Sequence, residues 1–158
     1  MMRHILLLLL SFGLGAHAVP KLSPLFSDNM VIQQNADAPI WGTAKPGKAV
    51  TVSCSWSGTV VTAKARPDGR WMATVRTPKA GGPHSITVSD GKKVVINGVM
   101  AGEVWLCSGQ SNMEYPVKGW TSVLNADEEL ANSVHPGIRL LQVHKVASVA
   151  PSARLVTN

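Results

Sequence analysis

Apolar and polar residues alternate along much of the chain between residues 25 and 98, with the period of two that is typical of β-strands. The clearest strand covers residues 49–56, where Val50, Val52 and Cys54 alternate with threonine and serine. The same alternation places Trp71, Ala73 and Val75 on one face of residues 70–76. Further strands are predicted at residues 59–66, 84–89 and 92–96.

Turn residues recur roughly every eleven positions between these strands. They are Pro46-Gly47, Gly58, Pro67-Asp68-Gly69, Gly81-Gly82-Pro83 and Gly91. Short strands at this spacing indicate an antiparallel sandwich or barrel, and Asp90-Gly91 is a strong hairpin signal. Pro39 and Pro46 favour edges or turns over central strands. We assign residues 19–100 to a β-sandwich domain.

The pattern changes near Gly98. Residues 103–106 form a short apolar run before the small polar turn of residues 107–112. Asn125 resembles a helix N-cap followed by acidic residues, and a helix is expected to continue until Pro136-Gly137. Residues 138–143 are then predicted to form a strand. Strand, turn, helix and strand are typical of the beginning of an α/β domain with a parallel sheet. We therefore assign residues 101–158 to such a domain and expect it to be incomplete at Asn158.

The first 18 residues have the features of a signal peptide. A short positive segment with Arg3 precedes an apolar run, and Ala16-His17-Ala18 has the form of a cleavage site. The run is shorter than the ~20 residues that span a bilayer, and a buried N-terminal helix is the alternative. We expect cleavage near Ala18 and a secreted or periplasmic protein, with no membrane span in the mature chain.

Composition narrows the functional classes. The chain is 45% hydrophobic and 15% charged, which is typical of a globular protein. Its net charge of +6 is dispersed, which gives no support to nucleic-acid binding and fits either a solvated basic surface or mild attraction to anionic glycans. Cys54 and Cys107 are expected to be buried apolar residues. His84, His135 and His144 lack metal-ligand spacing, so no metal is predicted.

Ser111 occupies a tight turn directly after a predicted strand. Hydrolases place a nucleophile in this position, because the turn exposes the hydroxyl and amides at the next helix start face an oxyanion. Met113 stands where the Gly-x-Ser-x-Gly motif has its second glycine, so the α/β-hydrolase elbow is excluded. The local chemistry leaves an ordinary turn serine as the alternative.

A longer string carries more information. Gly-Glu-Val-Trp-Leu-Cys-Ser-Gly-Gln-Ser-Asn-Met-Glu-Tyr at residues 102–115 resembles the first sequence block of the sialate O-acetylesterase family, which are SGNH-type carbohydrate esterases. Residues 22–34 and Pro39-Ile40-Trp41-Gly42 are similar to the upstream part of the family. The resemblance covers most of residues 22–145. It implies a β-sandwich followed by a flavodoxin-like three-layer α/β domain.

The resemblance also implies roles for residues. Ser111 would attack an acetyl ester on a sugar hydroxyl and form an acetyl-enzyme, and its backbone amide would be one oxyanion-hole donor. Gln110 and Asn112 would shape the turn or contact the ligand. The general-base histidine and its acidic partner lie far downstream in the family, so we expect this chain alone to be inactive. Acyl transfer through serine requires no metal or organic cofactor, and the expected partner is an O-acetylated sialic acid or plant-wall glycan.

Several residues have a second interpretation. His135-Pro136 resembles the His-Pro pair of the family's base, but its place in the chain favours the interpretation as a loop residue. The position of His144 at a predicted strand end favours a structural role. Glu114 lines the pocket mouth or is a solvated charge. Trp41, Trp56 and Trp71 form a sugar-stacking platform or, as their alternating positions favour, pack in the core. The competing hypothesis is a non-catalytic glycan-binding or structural β-sandwich module.

Overall fold

The chain forms two β-sheets with little helix. The computed structural model describes residues 19–119, 123–150, 152 and 155–157, and the predicted signal peptide at residues 1–18 lies outside them. The elements are β1 (Lys21–Leu22), β2 (Val31–Gln33), β3 (Asp37–Thr43), β4 (Ala49–Cys54), β5 (Val60–Lys64), β6 (Arg70–Arg76), β7 (Gly81–Ser89), β8 (Lys93–Gly102), a 3₁₀ helix (Ser111–Glu114) and α1 (Ala126–Ala131). No helix in these ranges is long and apolar enough to span a bilayer.

Strands from distant parts of the chain are neighbours in both sheets. The first sheet has the order β1-β3-β6, and the second has the order β2-β8-β7-β4-β5. All pairs are antiparallel except β2 and β8, which are parallel, with Gln33 opposite Gly102. The carboxyl ends of β2 and β8 therefore meet at one corner of the second sheet.

The inward faces of the two sheets share one hydrophobic core. Ile40 and Val75 come from the first sheet, and Val52, Val88 and Val99 come from the second. Ile40, Val52, Val88 and Val99 have no exposed surface. One core between two sheets is a sandwich, which decides between the two architectures that the strand spacing allowed.

Most strands lie where the alternation predicts them. β6 has the predicted bounds, β4 ends two residues early, and β7 and β8 pair around Asp90-Gly91 as a hairpin. Pro39 lies in β3, which is the middle strand of the first sheet by strand order, but the expectation of an edge position is confirmed at Pro39 itself. β1 pairs with β3 only at Gly42 and Thr43, so β3 has a single neighbour at Pro39 and tolerates the missing N–H donor there.

After Gly102 the chain departs from the predicted pattern. Residues 103–106 are not a strand, and in residues 138–143 only an isolated bridge between Val143 and Thr157 forms. α1 begins after Asn125 as predicted but ends at Ala131. Trp105 and Leu106 are 83% and 93% exposed, because no strand in the described residues pairs with this segment. The α/β domain therefore remains a prediction.

Candidate active site

Ser111 begins the 3₁₀ helix that follows the extended segment after β8. The carbonyl of Gln110 accepts a hydrogen bond from the Met113 amide at 3.0 Å, and that of Asn112 accepts one from the Tyr115 amide at 3.3 Å. Gly109 permits this turn, since a β-carbon there would lie 2.9 Å from Met113 Cγ. Ser111 is exposed at the start of the turn.

Gln110, Ser111 and Asn112 are all exposed on one short segment. Their side chains make no hydrogen bond to any other part of the chain that the structure describes. The hydroxyl and both amide groups are therefore accessible to a ligand. Since Ser111 is the first residue of the helix, its backbone N–H has no intrahelical acceptor.

The two histidines in the segment after α1 have exposed side chains. The carbonyl of His135 accepts a hydrogen bond from the Ile138 amide at 2.9 Å, which closes a turn beyond α1. The His144 amide donates to the Val156 carbonyl at 2.8 Å beside the bridge at Val143. Among the described residues, neither side chain is hydrogen bonded to Ser111. A serine–histidine pair is not assembled in these residues.

Glu114, at the end of the 3₁₀ helix, forms an ion pair with Lys145. Both side chains are more than half exposed, so the pair stabilises the fold little. It nevertheless fixes a contact between the Ser111 helix and the segment that follows α1. Of the two interpretations of Glu114, a surface charge fits this position.

Glu103, the first residue after β8, is held by two amide side chains from the end of β2. Gln33 Nε2 donates to one carboxylate oxygen at 3.0 Å, and Gln34 Nε2 donates to the other at 2.7 Å. These two bonds, with that from Gln33 first, lower the pKa of Glu103 below its ordinary value, because they favour the ionised form. We call the three side chains the amide clamp.

The remaining polar atoms of the clamp are also engaged. Gln33 Oε1 accepts the Val104 amide at 2.9 Å, and Gln34 Oε1 accepts the Ala80 amide at 2.8 Å. The sequence did not point to the clamp, because its members are 70 residues apart in the chain. The only available signal was that Gln33-Gln34 and Glu103 both lie in the strings that carry the family resemblance.

Arg139 attaches the segment after α1 to the sandwich. Its Nη1 atom donates to the carbonyls of Asn29 and Gly98, both at 2.6 Å, and lies 3.4 Å from that of Met30. Asn29 and Gly98 both have a left-handed backbone, with φ of 65°. We call these three carbonyls the carbonyl cradle. It lies at the amino-terminal side of β2, opposite to the amide clamp.

The tryptophans do not form one sugar-stacking platform. Trp71 is 2% exposed and belongs to the core. Trp41 packs edge-on against Phe26 at 4.6 Å between ring centroids, and Trp56 packs edge-on against His84 at 5.2 Å. Trp56 is one of the residues that line a cavity of about 300 Å³ near β5 and β6.

The two cysteines differ in environment, and the expectation that both are buried was wrong for Cys107. Cys54 is buried and Cys107 is exposed, and neither forms a disulfide. In the described ranges no three side chains of His, Cys, Asp or Glu are grouped so that they could hold a metal ion.

Comparison with known proteins relates this chain to esterases. Mouse sialate O-acetylesterase is 33% identical over 135 residues, which are 78% of this chain and 24% of the relative. The human protein of the same name is 32% identical over 138 residues, which are 80% of this chain and 26% of the relative. No protein-family model matches the chain.

A solved structure agrees with these relatives. The crystal structure of a carbohydrate acetylesterase from Xanthomonas citri matches with a TM-score of 0.72 and 34% identity, over 87% of this chain and 31% of that one. This share exceeds what residues 19–102 alone provide, so the similarity extends beyond the sandwich. The chain spans about a quarter of the length of the curated relatives. Over that quarter, the chain is similar in sequence to sialate O-acetylesterases and in fold to a carbohydrate acetylesterase.

Proposed function

We propose that this chain is the nucleophile-bearing part of a secreted carbohydrate O-acetylesterase that uses a serine acyl-enzyme mechanism. The observation that carries the proposal is the exposed Ser111 at the start of the 3₁₀ helix, within a string that resembles the family's nucleophile segment. The names of the related proteins support esterase chemistry on acetylated carbohydrates. Residues 19–100 are proposed as the sandwich domain and residues 101–158 as the beginning of an SGNH-type α/β domain.

In the proposed reaction, Ser111 Oγ attacks the carbonyl carbon of an acetyl ester while a general base takes its proton. The tetrahedral oxyanion accepts hydrogen bonds from the free Ser111 backbone amide and further donors. The ester C–O bond then breaks, the sugar oxygen takes the proton and leaves as a hydroxyl, and an acetyl-enzyme remains. Water attacks the acetyl-enzyme and releases acetate.

Gln110 and Asn112 have free amide side chains beside the nucleophile. We propose that they contact the sugar or shape the turn, since neither side chain transfers a proton at neutral pH. The general base and its acidic partner are proposed to come from polypeptide other than the described residues, because neither His135 nor His144 is bonded to Ser111. Either an O-acetylated sialic acid or an acetylated plant-wall glycan fits the proposal.

Export is also a proposal. The apolar run before Ala16-His17-Ala18 supports a signal peptide that is cleaved near Ala18. N-terminal sequencing of the mature protein from its source cells tests this. A mature chain that begins at Val19 supports export, and one that retains Met1 contradicts it.

The test of the catalytic role uses the complete protein purified from its source. Its hydrolysis of O-acetylated sugars is measured for the native protein and for Ser111→Ala. We expect kcat/KM to fall by at least about 10³-fold, because the nucleophile is lost while the binding groups remain. Ser108→Ala is the matched control, since it removes an exposed serine hydroxyl three residues away, and it should retain native activity.

The isolated 158-residue chain provides a second arm of the test. We expect it to hydrolyse no acetyl ester in a Ser111-dependent manner, because the described residues hold no base against Ser111. Turnover by this chain that Ser111→Ala abolishes would contradict the expectation. Undiminished activity of Ser111→Ala in the complete protein would refute the proposed function.

A further inference from the structure

The parallel pairing of β2 and β8 places the last residues of both strands side by side. Gln33 lies opposite Gly102, and the backbone N–H of Gln34 donates to the Gly102 carbonyl at 2.8 Å. Glu103 is thus the first residue after β8, and its carboxylate accepts hydrogen bonds from the side chains of Gln33, the last residue of β2, and of Gln34, which follows it. Ser111 follows eight positions later, after a segment without strand or helix.

The hydrogen bonds of the amide clamp are consistent with only one arrangement of donors and acceptors. Both amide oxygens already accept backbone N–H groups, from Val104 and Ala80. Both amide nitrogens must therefore donate to residue 103, which has to offer two acceptors. An ionised carboxylate does this, whereas a carboxamide of the same size offers one acceptor and one donor.

Two further contacts lie at the other end of β2 and at the Ser111 helix. The carbonyl cradle at residues 29, 30 and 98 holds Arg139, and Lys145, six residues further on, pairs with Glu114 of the helix. Residues 29–34 thus contact the polypeptide both before and after the Ser111 turn. The turn itself lies outside the strands of the sandwich, and these contacts link it to the sandwich through the polypeptide on both sides.

We propose that Glu103 is a positioning residue for Ser111, which the side chains of Gln33 and Gln34 hold at the exit of β8. This inference rests on the proposed function, since it assigns the sandwich a role in orienting the nucleophile. A displaced reacting group costs rate even when binding is preserved, because the attack geometry is lost. Loss of the clamp should therefore lower kcat more than it changes KM.

Exchanging the carboxylate at position 103 with the carboxamide at position 34 tests this directly in the complete protein. Glu103→Gln sets two amide nitrogens against each other, and Gln34→Glu sets two carboxylates at the 2.7 Å contact. In the double variant, the carboxylate at position 34 accepts both the Ala80 amide and the amide at position 103. The carboxamide oxygen at position 103 then accepts from Gln33, and every hydrogen bond of the clamp is restored in reverse.

We expect each single variant to lower kcat by about 10-fold or more with little change in KM, and the double variant to recover to within about 3-fold of the native value. Glu128→Gln is the charge-matched control, because Glu128 is exposed on α1, and it should leave kcat unchanged. Hydrogen exchange of residues 104–115 provides a second readout that needs no activity. Exchange should rise in both single variants and return in the double variant.

The outcomes separate the positioning role from the proposed function. Native kcat in both single variants, or a double variant no better than the worse single one, overturns the positioning role. Unchanged exchange in the single variants overturns it as well. If Ser111→Ala retains activity, the proposed function fails, and the exchange data alone decide whether the clamp orders the segment.

Discussion

At the scale of single residues, the two cysteine thiols differ in burial. Cys54 lies in the core between the sheets, whereas Cys107 lies on the exposed segment before Ser111. Burial raises the pKa of the Cys54 thiol from 9.0 to about 11, because the thiolate is poorly solvated there. Since the thiolate is the reactive form, the two cysteines should differ in reactivity.

We expect one thiol per folded chain to react with a maleimide at pH 8, and that thiol should be Cys107. Cys54 should react only after unfolding in urea. Mass spectrometry of the labelled chain identifies the modified residue, and Cys107→Ser provides the control in which labelling of the folded chain is lost. Equal labelling rates for both cysteines would contradict the buried position of Cys54.

The same burial predicts how stability depends on pH. The folded state holds the Cys54 proton more tightly than the unfolded state. The contribution of the protonated Cys54 thiol to the free energy of unfolding is therefore fully present below pH 9 and is lost as the pH rises towards 11. The free energy of unfolding of the native chain, relative to Cys54→Ala, should therefore be constant up to pH 9 and fall above it. Urea unfolding at several pH values checks this, and a difference that grows with pH would have the wrong sign.

Single residues also show which features of the candidate site could be predicted from the sequence and which could not. The turn around Ser111 is visible in the string Gly-Gln-Ser-Asn-Met, because its small polar residues have no place in a strand. The contact between Glu103 and Gln34 could not be found in this way, since it depends on which strands become neighbours. Cys107 was misjudged because it follows an apolar run, and the run is exposed in the described structure.

At the scale of elements, alternation located the strands of the sandwich well. β6 alternates between buried and exposed residues at every position, and its bounds match the prediction. A strand with two different faces is visible in its own sequence. Pairing partners are not, because the parallel contact of β2 with β8 and the short contact of β1 with β3 depend on the completed fold.

The contact between β1 and β3 requires a glycine. A β-carbon on Gly42 would lie 2.1 Å from the backbone oxygen of Lys21, and a backbone atom in a paired strand cannot move aside easily. We expect Gly42→Ala to separate β1 from β3 and to lower the free energy of unfolding by about 1–3 kcal/mol. Urea unfolding measures the change.

Gly58→Ala is the matched control for this substitution. A β-carbon on Gly58 contacts nothing within 4 Å, and its backbone is not left-handed. Its stability should stay within about 0.5 kcal/mol of the native value. Equal stabilities of the Gly42 and Gly58 variants would show that β1 is not held where the structure places it.

At the scale of the whole molecule, the sandwich and the segment after it differ in packing. The core residues between the sheets are almost fully buried, whereas exposed large apolar side chains crowd residues 104–149. Leu106, Leu124 and Leu140 are each more than 90% exposed. Patterns such as residues 103–106 looked like buried strands because their composition suits burial, and the described residues supply no partner that would cover them.

We expect limited proteolysis of the 158-residue chain with chymotrypsin to begin in this later segment. Trp105, Leu106 and Leu140 are exposed sites, whereas Trp41 and Trp71 lie in paired strands. A resistant product that ends close to Gly102 should accumulate, and intact-mass measurement would identify it. Early cleavage within β3 or β6 would contradict the packing of the sandwich.

The parallel pair of β2 and β8 has a consequence for the order of folding. β2 is made early, but its partner follows about 70 residues later, so the ribosome must release almost the whole sandwich before β2 can pair. Contacts that close such long loops form late, because the entropy of the intervening chain has to be lost first. The corner of the sheet from which the Ser111 segment departs is thus completed only when the hairpin of β7 and β8 is in place. A nascent chain therefore acquires this attachment as one of its last folding steps.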